Sequence, residues 1–129
     1  MCRLLLVDDE PDAVELFRQS FRREIRGGEY DIRFAASGEE ALAMLTVDGA
    51  DGRILLLCDI NMPGMSGLDL LREVRRRWPL LPVIMVTAYG DADNRRRALQ
   101  NGASAFVTKP VDFEDLKKTL RGRQAGERI

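Results

Sequence analysis

Apolar stretches of strand length alternate along the chain with segments whose apolar residues recur every three or four positions. Arg3 to Val7, Ile32 to Ala35, Ile54 to Cys58, Val83 to Thr87 and Ala105 to Thr108 are the strand candidates. The first, third and fourth (LLLV, ILLLC, VIMV) are apolar at consecutive positions, the pattern of strands covered on both faces, whereas the second and fifth read as edges. Val14, Phe17, Phe21 and Ile25 recur at steps of three and four after Pro11, a residue favoured in a first turn, and predict one long helix. Ser37 followed by Glu40 is the sequence of a capping box ahead of Ala41, Leu42 and Leu45. Ser66 is expected to cap a third helix carrying Leu71, Val74 and Trp78, which Pro79 and Pro82 end. Asp91 to Asn101 predicts a fourth helix with weak amphipathicity, only Ala98 and Leu99 being clearly apolar; Phe113, Leu116 and Leu120 mark the fifth. Gly27-Gly28 and Asp48 to Gly52 read as surface connections. Gly122 to Ile129 reads as a flexible tail or the start of a linker, which leaves residues 1–121 as the folded unit.

Five strands alternating with helices imply an α/β domain, doubly wound, with a parallel sheet and helices on both faces. The 129 residues, 45% of them apolar, furnish one core and leave no room for a second domain. With 20 basic and 21 acidic residues the charges nearly cancel, so direct binding of nucleic acid or of an anionic membrane is not expected. No apolar run reaches about 18 residues and no charged-then-apolar leader follows Met1, so a membrane span and a secretory signal are not expected and the location read is cytoplasmic. Cys2 and Cys58 have no C-x-x-C partner, which excludes a cysteine zinc site and leaves Cys58 as a small core residue. The chain has no histidine, so Ser-His-Asp hydrolysis, histidine metal sites and internal phosphohistidine chemistry are excluded.

In an open parallel sheet, ligands bind beyond the carboxyl ends of the strands, where strand order reverses. Asp8 and Asp9 follow the first strand, Asp59 the third, Thr87 ends the fourth and Lys109 follows the fifth. With right-handed crossovers and the flavodoxin-like order 2-1-3-4-5, the first and third strands are neighbours, and three carboxylates share one crevice. Such crowding is costly unless a cation neutralises it, and hard oxygen ligands of this kind suit Mg²⁺. An isolated Asp-Asp pair would read as a solvated turn; the third carboxylate, with a lysine and a threonine at other strand ends, changes that reading. Lys109-Pro110 is an X-Pro step and so open to a cis bond.

The stretches LLLVDDEP, DINMPGMSG, VTAYG and FVTKP, in this order over essentially the whole chain, resemble the receiver domains of bacterial two-component response regulators, of the chemotaxis-regulator-like type. The resemblance implies a phosphorylation-dependent switch, a regulatory domain rather than an enzyme, which promotes only its own phosphotransfer and dephosphorylation. It implies that Asp59 is the phosphoacceptor and becomes an aspartyl phosphate. Asp9 would be a direct metal ligand, Asp8 a ligand through water or a partner of Lys109, and the Asn61 carbonyl a further ligand of Mg²⁺. Lys109 would pair with a phosphoryl oxygen, the Thr87 hydroxyl would bond another, and Phe106 would be the aromatic switch residue. Pro63 and Gly67 match the loop after the acceptor, Gly67 letting the chain enter the third helix closely. Asn61 and Tyr89 would flank the path of attacking water, with Tyr89 shielding the acyl phosphate. The implied donor is a sensor histidine kinase or a histidine phosphotransfer protein. The implied output is a downstream protein or an output domain outside this sequence, with homodimerisation on phosphorylation possible.

Three other functions fit the fold class less well. A flavodoxin-like electron carrier or nucleotide binder needs a Gly-, Ser- or Thr-rich phosphate cradle where this chain has Asp8, Asp9 and Glu10. A phosphatase-like hydrolase with an aspartyl nucleophile places its two acids two residues apart, whereas Asp8 and Asp9 are adjacent. A phosphorylation-dead interaction module would not be expected to keep Asp59, Thr87 and Lys109. The arginine runs 75–77 and 95–97 read as solvated helix faces, with docking surfaces the alternative.

Overall fold

The computed structural model describes residues 2–48, 54–87 and 91–127. Five strands, β1 (Cys2–Val7), β2 (Tyr30–Ala35), β3 (Ile54–Asp59), β4 (Val83–Thr87) and β5 (Ala105–Thr108), pair in parallel in the order β2-β1-β3-β4-β5. The second and fifth are therefore the edges, as their less uniform sequences predict. Leu55, Leu56 and Leu57 are good helix formers, yet they lie in a strand. Burial of each is worth about 1.5–3 kcal/mol, which exceeds the roughly 0.7 kcal/mol span of helix propensity among ordinary residues. The six helices are α1 (Pro11–Ser20), α2 (Arg22–Arg26), α3 (Gly38–Asp48), α4 (Gly67–Arg77), α5 (Ala92–Gln100) and α6 (Phe113–Glu127).

Alternation along each strand divides the core in two. Leu5, Val7, Leu56, Cys58, Val83 and Met85 face Ala41, Leu45, Leu71, Val74 and Ala98 on α3, α4 and α5. Leu4, Leu6, Leu55, Leu57, Ile84 and Val86 face Phe17, Phe21, Leu116 and Leu120 on the other side. Ser66 caps α4 through a complete capping box with Asp69, both bonds at 3.2 Å. Ser37 accepts from the Glu40 amide at 3.1 Å, but the Glu40 carboxylate reaches the amide of Ala36 rather than that of Ser37.

The helices depart from expectation in places. The single long helix after Pro11 is two, because Phe21 leaves helical geometry (φ −102, ψ 12) between α1 and α2. Its ring stacks on Phe17 at 4.9 Å and sits edge-on to Tyr30 at 5.5 Å. The rotation at that step turns Ile25 outward, 37% exposed, and brings Glu24 inward, where Lys117 of α6 meets it at 3.0 Å. The weak amphipathicity expected of the fourth helix is seen in α5, where Ala98 is buried and Leu99 is 52% exposed. Trp78 is the C-cap of α4, one residue beyond the helix, and packs half-buried against the same core cluster as Leu71 and Val74. The helical backbone of α6 continues through residues 122–127, the stretch expected as tail.

Candidate functional site

Register builds the site. Val7 of β1 pairs with Cys58 of β3, so the next residues on these two strands, Asp8 and Asp59, emerge side by side. The Asp8 amide donates to the Ala35 carbonyl at 3.1 Å and continues the ladder one residue beyond β1. On the other flank, Thr87 pairs with Thr108, and the Lys109 amide donates to the Thr87 carbonyl at 2.8 Å. Strand ends thus deliver Asp8, Asp9, Asp59, Thr87 and Lys109 to one edge of the sheet, the set read from the sequence.

Asp8, Asp9 and Asp59 each offer a carboxylate oxygen, and these atoms lie within 4.8 Å of one another. Asp59 is 3% exposed and Asp8 7%, while Asp9 is half-buried. The Lys109 ammonium donates to Asp59 Oδ2 at 2.7 Å and the Asn61 amide to Asp59 Oδ1 at 3.1 Å. Lys109 therefore pairs with Asp59 directly; Asp8 instead accepts from the Glu10 amide at 2.9 Å. Burial, with the charges of Asp59 and Asp9, holds the Asp8 carboxyl above the usual aspartate range against the opposing Glu10 amide and Lys109 ammonium. Burial alone would lower Lys109, but its bond to Asp59 and the charges of Asp59, Asp8 and Glu10 leave it above the usual lysine range. Burial pushes the Cys58 thiol upward, consistent with an inert core residue. Three crowded carboxylates without histidine or thiolate form a hard-oxygen set that fits Mg²⁺ and suits zinc poorly.

The backbone around Asp59 is tightly drawn. The Gly67 amide donates to the Ile60 carbonyl at 2.8 Å, and a Cβ at position 67 would lie 2.3 Å from the Asp59 carbonyl oxygen. This is the close entry expected of Gly67, and it ties the start of α4 to the end of β3. Asn61, exposed, and Pro63 lie in the intervening loop. Lys109-Pro110 is cis. Tyr89 lies outside the described residues.

Thr87 is 1% exposed and its hydroxyl has no hydrogen-bond partner among the described residues. A buried orphan hydroxyl costs about 1–3 kcal/mol, so its retention calls for a reason. Phe106, across from Met85 in the β4–β5 register, is half-buried, and the guanidinium carbon of Arg95 lies 4.1 Å from its ring centroid. The sequence gives no sign of that contact, because Arg95 stands in a run of three arginines whose other two pair within α5 with Asp93. Arg75 was likewise hidden in a run. Its guanidinium donates to the Gly102 carbonyl at 2.8 Å and also to the Leu81 carbonyl, joining α4 to the turns around it.

No helix among the described residues is long and apolar enough to cross a membrane. The sequence model described as "Response regulator receiver domain" matches residues 4–121. The chain is 40% identical over 118 residues to the response regulator protein PilR of Pseudomonas aeruginosa, covering 92% of this chain and 25% of that protein. It is 38% identical over 110 residues to the DNA-binding transcriptional regulator NtrC of Klebsiella pneumoniae, covering 85% of this chain and 22% of that protein. The chain thus spans about a quarter of the length of these curated relatives. A response regulator receiver domain protein from Clostridium thermocellum superposes with a TM-score of 0.86 at 27% identity, covering 99% of this chain and 98% of that one. Strand order, a carboxylate cluster at the β1 and β3 ends and a matching family model agree: the chain belongs to the response regulator receiver domains, the phosphorylation-dependent switches of two-component signalling.

Proposed function

We infer that Asp59 is the phosphoacceptor of this switch, Asp8 and Asp9 with Asp59 and the Asn61 carbonyl being the residues that would hold Mg²⁺. When bound, Mg²⁺ supplies charge neutralisation for the incoming phosphoryl group. A carboxylate oxygen of Asp59 attacks phosphorus and the bond to the donor's imidazole nitrogen breaks, leaving an acyl phosphate. Lys109 then exchanges its carboxylate partner for a phosphoryl oxygen. The observation that carries this reading is the Asp59 carboxylate itself, buried, held by Lys109 on one oxygen and by the Asn61 amide on the other, beside two further carboxylates.

The donor is a sensor histidine kinase or a histidine phosphotransfer protein, since this chain has no histidine of its own. The chain promotes only its own phosphorylation and dephosphorylation, with Tyr89 shielding the acyl phosphate. Thr87 and Phe106 report it: the hydroxyl turns to a phosphoryl oxygen and vacates space that the ring can enter. Output passes to a downstream protein or to an output domain beyond residues 1–121, with homodimerisation on phosphorylation as one form and no nucleic-acid contact by this domain. The location is cytoplasmic.

Incubation with Mg²⁺ and acetyl phosphate is expected to add one phosphoryl group to the chain, read by intact-mass spectrometry. Asp59→Asn abolishes the addition. Equal phosphorylation of both proteins would overturn the assignment of the acceptor.

A further inference from the structure

α5 is held to the domain very unevenly. Of its side chains only Ala98 is buried. Its C-terminal end is clamped by α4, where Arg72 Nε donates to Asn101 Oδ1 at 3.2 Å and Arg75 Nε to the Gly102 carbonyl at 2.8 Å. Toward its N-terminal end, which follows β4 and Thr87 in the chain, a contact to the sheet is of a different kind. That contact is the Arg95 guanidinium, 4.1 Å from the centroid of the half-buried Phe106 ring on β5.

Helix electrostatics do not account for Arg95. It stands four residues after the N-cap Asp91, near the positive end of the helix dipole, where a cation is disfavoured. Its neighbours Arg96 and Arg97 both pair with Asp93, the latter at 3.3 Å. Asp91, four residues before it, is occupied with the amide and side chain of Asn94, at 3.2 and 2.6 Å. Arg95 has no ion pair among the described residues, and the Phe106 ring face is the partner it does have.

We propose that Arg95 is a positioning residue that holds Phe106 in its half-buried resting place and so sets the equilibrium of the switch, a proposal that rests on the Thr87–Phe106 reading above. The stack exists where the ring is half-exposed and is lost when the ring moves inward into space released by Thr87. It therefore stabilises one of the two states and not the other, which is the condition for any contact to bias a population. A cation over an exposed or partly exposed aromatic face is worth enough to shift a two-state equilibrium by about two- to five-fold. Because the apparent affinity for a ligand scales with the fraction of protein in the competent state, loss of the stack is read directly as tighter binding of a phosphoryl mimic. The clamp by Arg72 and Arg75 keeps the far end of α5 in place, so the change is a tilt of the helix about Asn101 and Gly102.

The test titrates the full chain with beryllofluoride at fixed Mg²⁺ and follows backbone amide shifts. Arg95→Gln, which removes the cation and keeps a good helix former, is expected to tighten apparent binding about two- to five-fold, with Arg95→Lys between it and wild type. In a Phe106→Leu background, where no π face remains, Arg95→Gln is expected to change nothing further. An unchanged affinity in Arg95→Gln, or the same tightening in the Phe106→Leu background, overturns the proposal while leaving the function intact. A wild-type chain that gives no response at Asp59 overturns the functional reading first and this one with it. Should Phe106→Leu fail to fold, the ordering Gln, Lys, Arg decides alone, and equal affinities for Arg95→Lys and Arg95→Gln count against the stack.

Discussion

A Cβ at position 67 would come within 2.3 Å of the Asp59 carbonyl oxygen and 2.7 Å of the Ile60 Cα, and both neighbours are backbone. Neither can swing aside as a side chain would, so Gly67→Ala must move the main chain of Asp59 and Ile60. The expected cost is about 1–3 kcal/mol of stability, with slower phosphorylation by acetyl phosphate. Chemical denaturation checks the first and intact-mass kinetics the second; a variant as stable and as fast as wild type would show that the close approach is relaxed in solution. Thr87 carries a cost of a different kind, since its buried hydroxyl has no partner among the described residues. Thr87→Val exchanges that hydroxyl for a methyl of similar shape and is expected to stabilise the unphosphorylated protein by about 1 kcal/mol while losing the response to phosphorylation. Stabilisation together with loss of switching is the signature of a group kept for the other state. A destabilised Thr87→Val would mean that the hydroxyl already has a solvent partner.

Among the helices, the break at Phe21 has an energetic counterpart. Because Glu24 turns inward and meets Lys117 at 3.0 Å, with side chains 9% and 12% exposed, α2 is joined to α6 by an ion pair largely withdrawn from water. Burial raises the Glu24 carboxyl, but the bonded Lys117 ammonium outweighs it and holds the group below the usual glutamate range. A depressed folded pKa gives stability that is present above the unfolded value and is lost as the pH falls through the folded one. Lys117→Met leaves Glu24 without its partner and is expected to cost about 1–3 kcal/mol at neutral pH, shrinking as Glu24 protonates in acid. Denaturation curves at neutral and acid pH check this, and a cost that does not change with pH would remove Glu24 from the account. The exposed pairs Arg18–Glu15 and Arg72–Asp69 contribute at most about 0.5 kcal/mol each.

Over the molecule as a whole, the carboxylate cluster sets stability against function. Burial first, and then Asp59 and Asp9, hold Asp8 above the usual aspartate range. A raised folded pKa gives a contribution that is fully present below the unfolded pKa and is lost as the pH rises through the folded one. At neutral pH in a chelator, Asp8→Asn is therefore expected to raise the melting temperature, a gain that fades toward acid pH. Mg²⁺ is expected to reverse the ranking. Binding to the folded state alone stabilises wild type by about 2.7 kcal/mol at one hundred times the dissociation constant, and Asp8→Asn by less at the same concentration. Calorimetry of both proteins in chelator and in Mg²⁺ gives the four values needed; a wild-type melting temperature indifferent to saturating Mg²⁺ would speak against a metal site.

The sequence by itself determined the strands and the chemistry at their ends. LLLV, ILLLC and VIMV are apolar at every position because a strand covered on both faces has no polar side, and the polar residue that ends each run marks the rim of the sheet. Asp8, Asp59, Thr87 and Lys109 were legible for that reason, and register then needed only to set β1 beside β3. Periodicity could not show where a helix breaks without glycine or proline, and so Ile25 was read as buried in place of Glu24. The signal lay in the partner Lys117, 93 positions away in the chain, where no local pattern reaches. The same holds for Arg95 and Arg75: composition marks each as one of three adjacent arginines, and only the packing of α5 against β5 and α4 separates the cation on an aromatic face or a carbonyl from its solvated neighbours. Tertiary structure decided these because a long, flexible, charged side chain takes its role from whatever surface the fold brings within its reach.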